Sequence, residues 1–524
     1  MYQPTETKLK TVSTKVKQYM ADIGLEWGLS KCGVAHYNKG TVNYSPLQLD
    51  SKEPVIEHVT LEKPYKFLGI LEVVVQLKET VWQKYTTEFI SRVKKILVAP
   101  ISGFNKIKAY NTWAVPKLMY LFWTQNVRIS DLDQLDGQSH TLLTKHGLCH
   151  SKLCHEIMYL PRKYGGLGLS SLTWTYKKCK ILLLVHVVLS KDVLIQSVVQ
   201  KELLKGQLGL HSLATQYCQE LGITLDIQLD SITATVNNES FEWTSTTIAK
   251  QLINKHYKEL CLNAWKAKHN QGKLKTEIDV YKGSWSWLVT WTTVPTVVQN
   301  KFFELMANLT PTLSYLNMIQ KSNADNHCRM CHKTGEFTSH ILSGCEVLLH
   351  TKYKFRHDQV LKRVLAFLLH RHNLENFRKV IERYYEPKPK YSNHHGFEIY
   401  WDVALTSEVP ENRPDISVLD HNKKSILLIE QSCPWDANIE KWTLEKERKY
   451  LPLVQTLRSQ YPNYSITTLP LVIGALGGVA DSTLSNLSKI TNNKKQAKDL
   501  LCQMQQMALF GTVNIIQQWE RQVA

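Results

Sequence analysis

Two carboxylates, a lysine-bearing segment and one tight group of thiols with a histidine are the residues whose types and spacing point to chemistry. Asp415 follows Pro414 and opens a short apolar segment, and Glu430 closes a second one, Ile426 to Ile429. A charged segment carrying Lys446, Lys449 and Tyr450 comes next. Acids at the ends of two adjacent strands can hold a divalent cation, Mg2+ or Mn2+, on a scissile phosphate, while a nearby lysine positions or activates the attacking water. Residues three or four apart share a helical face, so Lys446, Lys449 and Tyr450 can all look toward the acids. Asp436 reads as a turn or helix-cap residue rather than a ligand.

The second group is Cys328-x2-Cys331-x8-His340-x4-Cys345. Two thiolates two residues apart fit one tight turn, eased by Gly335, and His340 with Cys345 completes a tetrahedral zinc site. Four ligands from one short segment leave no open coordination position, so the expected zinc is structural. His327 and His332 stand beside it as bystanders. A looser set, His140, His146, Cys149, His150, Cys154 and His155, does not give two clean ligand pairs and reads as structural or phosphate-facing.

These groups need elements to carry them. The chain has 524 residues, enough for two to four domains, and 43% hydrophobic content marks it as folded. A net charge of +18 argues for a polyanionic partner, with nucleic acid the natural one. No apolar run is long enough to span a membrane, and Lys180 to Ser190 reads as a buried helix. No secretory signal is visible, and eleven scattered cysteines suggest reduced thiols, so a nuclear or cytoplasmic location is expected.

Along the chain, residues 5–22 have a helical period, Tyr65 to Ile70 reads as a strand interrupted by Gly69, and Val81 to Val127 is helical. Tyr159 to Leu169 contains a glycine turn. Residues 175–320 read as a long helical region whose Trp285, Trp287 and Trp291 belong to a core. Lys352, Lys354, Arg356, His357, Lys362 and Arg363 suit either phosphate contacts or a solvated helix face. After a polar linker at 386–395, strands are expected at Ile416 to Leu419, Ile426 to Ile429 and Ile466 to Ile473. Helices are expected at Ile439 to Gln460 and Thr483 to Met507, with Gly474 to Gly478 as a turn. The expected fold class is multidomain and mainly α, with an α/β C-terminal domain.

Several of these stretches, in this order, resemble the C-terminal part of non-LTR (LINE-type) retrotransposon proteins. They are GLEWGLSKC (24–32), YKFLGI (65–70), YLPRKYGGLGL (159–169), the knuckle CRMC…SHILSGC, and RPDI…LLIEQSCPWD…LPLVIGALGG. The resemblance implies the end of a reverse transcriptase palm with its primer-grip hairpin at 1–75 and a thumb at 76–175. A helical connector at 176–320, a zinc knuckle with a basic helix at 321–385 and a restriction-enzyme-like endonuclease at 396–524 would follow. It places Lys31 near the incoming nucleotide and Phe67, Leu68 and Gly69 at the primer end, and adds Arg162, Lys163 and Arg413 as nucleic-acid contacts.

Departures from the family pattern bear on activity. The lysine usual two residues after the second acid of this nuclease fold is replaced by Ser432, but the retrotransposon enzymes supply theirs from the following helix, which points to Lys446. Relatives usually carry aspartate where Glu430 stands. No Tyr-x-Asp-Asp turn is present, and Asp131, Asp133 and Asp136 do not substitute for it, so this chain alone should not polymerise DNA. The implied chemistry is magnesium-dependent nicking of target DNA to expose a 3′-hydroxyl that primes copying of the element's RNA. A catalytically inactive or co-opted nucleic-acid-binding fragment is the alternative.

Overall fold

In a computed structural model the described residues are 3–38, 41–43, 45–51, 53–60, 65–67, 70–72, 78–204, 209–278, 283–394 and 396–523. They are mainly helical, with several small sheets and one larger mixed sheet near the C-terminus. Two compact units divide the chain: Met1–Arg92 with Pro116–Asn126, and Val93–Val115 with Val127–Ala524.

The first unit opens on a helix, Glu6–Asp22, capped by the Thr5 hydroxyl, which accepts from Lys8 N at 3.3 Å. Val34, Leu47 and Ile56 form a small core with Leu9 against it. Lys31 ends a short 3-10 turn, Leu29–Lys31, and is exposed. The segment expected as one strand at 65–70 is an antiparallel pair, Tyr65–Phe67 with Ile70–Glu72. Leu68 and Gly69 lie outside the described residues, and of Phe67 only the backbone is described.

In the second unit the region expected to be wholly helical also contains a three-stranded antiparallel sheet, Thr224–Gln228, Ser231–Val236 and Glu239–Glu242. Its second turn places Asn237 and Asn238 at positive φ, where asparagine is better tolerated than most residues. The helix Leu172–Val188 is buried along most of its length, as expected for Lys180 to Ser190, and no single helix among the described residues is long and apolar enough to cross a membrane. Trp285, Trp287 and Trp291 are buried, with Trp287 set edge-on to Phe302 at 4.7 Å.

The acids sit in the last portion of this unit, whose elements we number separately. They are α1 (Lys354–Arg371), β1 (Lys390–Ser392), β2 (Phe397–Trp401), β3 (Ile416–Asp420), β4 (Ser425–Ser432), α2 (Ile439–Lys449), α3 (Leu451–Gln460), β5 (Ser465–Val472), α4 (Asp481–Ile490) and α5 (Lys494–Val523). The sheet order is β5-β4-β3-β2-β1, antiparallel except for the parallel pair β4–β5. The stretch 386–395 is therefore more than a linker, because it contributes the edge strand β1. The expected helix 439–460 breaks at Tyr450, where Pro452 enters the first turn of α3, and the expected helix 483–507 is two helices, α4 and α5.

Helices cover both faces of the sheet, which is why β4 can read as a nearly continuous apolar run. Val360, Val364 and Leu365 of α1, with Leu501 and Met504 of α5, pack with Val418, Ile429 and Leu469. On the opposite face Ile426 and Leu428 pack with Tyr450, Leu453 and Leu457. Strand alternation then aims Glu430, in step with Ile426 and Leu428, toward the face that holds Tyr450.

Candidate active site and metal centre

The β3–β4 register brings the two acids together. Ile416 pairs with Ile429, so one step further along the ladder Asp415 stands opposite Glu430. Both side chains, with Lys446 from α2, line one cavity of about 490 Å³. Lys446 Nζ is 2.7 Å and Lys449 Nζ 2.9 Å from Glu430 Oε1. The Tyr450 hydroxyl lies 2.8 Å from Glu430 Oε2 and 3.1 Å from the Arg413 carbonyl, and accepts from Lys449 at 2.9 Å. Burial, reinforced by the Glu430 charge, pushes the Tyr450 phenol far above its ordinary range, so it stays a neutral donor. The three residues expected to face the acids thus all converge on Glu430.

The sequence did not single out the partner of the other acid. His357, on the first turn of α1, puts Nε2 at 3.1 Å from both Asp415 Oδ2 and the Gln431 carbonyl, while Nδ1 meets Asp358 at 3.0 Å. Gln431 N also donates to Asp415 Oδ2 at 2.7 Å. Burial works against charge on both groups, but the ion pair prevails: Asp415 is held below the usual carboxylate range and His357 well above the usual imidazole range. Arg356, from the same basic run, is neither solvated nor phosphate-facing. It is buried and donates to Leu342 O and Cys433 O, each at 2.9 Å, and to Thr512 Oγ1 at 3.1 Å. The signal for both lay in the apolar stripe Val360, Leu361, Val364 and Leu368, which turns His357 toward the interior.

Asp436 opens a 3-10 turn, Asp436–Asn438, just before α2, in keeping with the turn reading; its carboxylate is fully buried and accepts from Leu476 N and Gly478 N, each at 2.8 Å. Burial raises its carboxyl to about 6 against the pull of those two amides. It ties the Gly474–Gly478 turn to the end of β4. A Cβ on Gly474 would meet Asp436 Oδ1 at 2.1 Å. Gly474→Ala is therefore expected to cost roughly 1–3 kcal/mol in urea unfolding, as overpacking does elsewhere; a variant with an unchanged midpoint would contradict that close approach.

The remaining contact candidates are dispersed. Arg162 turns inward, donating to Gln299 Oε1 at 2.7 Å and stacking over Phe104 at 4.3 Å, while Lys163 is exposed. Arg413 is exposed and paired with Asp402 at 2.7 Å. In the histidine-rich stretch, His140 on the helix Ile129–Lys145 puts Nε2 3.0 Å from the hydroxyl of Tyr159 on the helix His155–Tyr159, and its ring lies 5.0 Å from that of His155, an aromatic and hydrogen-bonded cluster.

The knuckle converges as its spacing predicts. Ligand atoms of Cys328, Cys331, His340 and Cys345 lie within 4.8 Å of one another, the only such group of three or more among the described residues. Cys331 Sγ is 3.3 Å from His340 Nε2. A zinc tetrahedron with bonds of ~2.0–2.3 Å has edges of ~3.3–3.8 Å, so the donor set fits a structural metal ion such as zinc. Thr334 Oγ1 is 3.0 Å from His340 Nδ1, which leaves Nε2 facing the thiols. Two backbone bonds, Cys328 N to Thr334 O and His332 N to Cys328 O, close the turn beneath the first two cysteines. His327 bonds outward to Asp325 and takes no part.

No protein-family model matches the chain, and no curated protein matches it.

Proposed function

We propose that this chain is the C-terminal portion of a non-LTR retrotransposon protein whose last segment, 396–524, is a restriction-enzyme-like DNA-nicking endonuclease. The observation that carries this reading is the opposition of Asp415 and Glu430 across β3 and β4, with Lys446 reaching the same cavity from α2. Asp415 and Glu430, with the Gln431 carbonyl that shares His357 with Asp415, would supply an all-oxygen donor set suited to a hard cation. When bound, Mg2+ or Mn2+ would polarise the scissile phosphate and acidify the attacking water. Lys446 would orient that water or stabilise the developing charge, and Lys449 with Tyr450 would hold the Glu430 carboxylate in place. The knuckle would carry structural zinc. Target DNA and the element's RNA are the partners this reading implies.

Nicking of supercoiled plasmid with Mg2+ or Mn2+ tests it. Wild-type protein is expected to convert supercoiled to open-circular DNA, and Asp415→Ala to lose at least ~10²-fold in rate, in line with removal of an electrostatic catalytic group. Equal nicking by the two proteins would remove the assignment.

A second reading is a co-opted protein that binds nucleic acid without cutting it. It draws support from the crowding of Glu430 by two lysines and of Asp415 by His357. Salt-dependent binding with no nicking in either metal selects it.

A further inference from the structure

A second cavity, in the helical part of the same unit, has a charge pattern that the nuclease reading does not use. It measures about 820 Å³, and its lining includes Lys108, Lys163, Lys178, Lys255, Lys258 and Arg162 but neither aspartate nor glutamate. Three helices each contribute one face. Lys108, Asn111 and Thr112 come from the segment 103–114; Ser171, Trp174, Thr175 and Lys178 lie at and beyond the start of Leu172–Val188; Gln251, Asn254, Lys255 and Lys258 come from Thr246–Lys266. Spacings of three and four put each set on one side of its helix.

Arg162 is committed to Gln299, and Lys258 donates to the Tyr164 hydroxyl at 3.2 Å. Lys108, Lys178 and Lys255 make no ion pair among the described residues. Burial, together with the nearby Lys250, holds Lys178 below the ordinary lysine range, so an anion entering here would relieve an existing electrostatic cost. Aromatic surface is at hand as well. Tyr164, half-buried, is flanked by Lys258 and Lys163, 4.7 and 5.1 Å from its ring centroid, while Trp174, buried and stacked on Tyr257 at 4.1 Å, stiffens the wall behind. The loop that closes one wall cannot thicken, since a Cβ on Gly166 would meet the Leu160 carbonyl oxygen at 2.0 Å.

Cations without counter-charges, amides and aromatic rings around one recess are what a sugar-phosphate strand with unpaired bases recognises. The volume falls in the ~300–1,000 Å³ range of sites that enclose a small ligand, suited to one or two nucleotides and too small to admit a duplex. We infer that this cavity binds the backbone of single-stranded nucleic acid through Lys108, Lys178 and Lys255, independently of the Asp415–Glu430 cleft.

The test uses the full chain carrying Asp415→Ala, so that cleavage plays no part and the result does not depend on the nuclease reading. Fluorescence anisotropy with a labelled oligouridylate of about 16 nucleotides, near the upper site size of single-strand-binding folds, gives the affinity and its salt dependence. Adding Lys108→Ala, Lys178→Ala and Lys255→Ala is expected to weaken binding at least tenfold and to reduce the log–log salt slope by about 2, at ~0.7 per lost phosphate contact. Lys494→Ala, Lys495→Ala and Lys498→Ala, exposed on α5, remove the same charge and are expected to change the affinity less than twofold. Should the cavity triple variant not fold, the exposed pair Lys108→Ala and Lys255→Ala is expected to weaken binding at least threefold. Equal losses from the cavity and α5 sets, no loss from the cavity set, or competition by polyglutamate as effective as by unlabelled RNA would each overturn the proposal.

Discussion

Cys328→Ser is expected to abolish stoichiometric zinc and to unfold the segment around 325–348. Cys328 and Cys345 are almost fully buried, and their thiols converge with Cys331 and His340. Structural zinc contributes ~10–16 kcal/mol of apparent binding energy in isolated finger peptides, as much as the ~5–15 kcal/mol that holds a whole domain together. So short a segment has little core of its own to replace it. The loss should not stay local. Tyr353, just before α1, has its hydroxyl 2.7 Å from Ile341 O and 3.1 Å from His340 O, and it accepts from Cys345 N at 3.0 Å. Arg356, one turn on, holds Leu342 and the end of β4 together, and His357 beside it meets Asp415. Melting the knuckle therefore releases the helix start that carries His357 to the acids. Zinc content by metal analysis, protease sensitivity near residue 330 and plasmid nicking should fall together. Retained zinc with native protease resistance would refute the four-ligand assignment; lost zinc with full nicking would refute the coupling through Tyr353.

What was readable in the sequence follows the range of the forces involved. The knuckle was legible because its four ligands lie within eighteen residues and the metal fixes their spacing. The opposition of Asp415 and Glu430 was legible because two apolar segments around the His421–Lys424 turn almost oblige a hairpin ladder. Lys446 was implied by the family resemblance, and helical spacing only allowed Lys449 and Tyr450 to face the acids with it, although the helix ends at Tyr450 itself. The α1 stripe signalled that His357 faces inward, but its pairing with Asp415 was not legible: it lies far upstream, and only the packing of α1 across the sheet joins them. Arg356 misled because a charged residue on a helix ordinarily stays in water, whereas here three oxygen acceptors take it inside. The small sheet at 224–242 was overlooked despite two local signals, the alternating Ser231–Val236 strand and the Asn237-Asn238 turn. Helical expectation over a long window overrode a short period-two pattern inside it.

Glu430→Gln separates a ligand from a structural anion. The side chain of Glu430 is 4% exposed and accepts from Lys446, Lys449 and Tyr450. The amide keeps the shape but removes the charge, leaving two ammonium groups against a neutral partner. Lys449 is 35% exposed and can turn to water, whereas Lys446, at 15%, is more confined. A loss of about 1–3 kcal/mol in chemical denaturation is therefore expected, at the level of hydrogen bonds to charged groups rather than of a wholly buried pair. On the proposed nuclease reading nicking is expected to fall at least ~10³-fold, because the substitution would take away a ligand of the cation and leave Lys446 without its charged partner. Lys446→Met added to Glu430→Gln then separates the stability loss from the nicking loss. Removing the unpaired ammonium should restore much of the stability, a non-additive cycle in folding, while nicking, which also loses the proposed water-orienting lysine, stays at the floor. If nicking recovers along with stability in the double variant, Glu430 serves only to anchor the lysines, and the cation must be held by Asp415 without it.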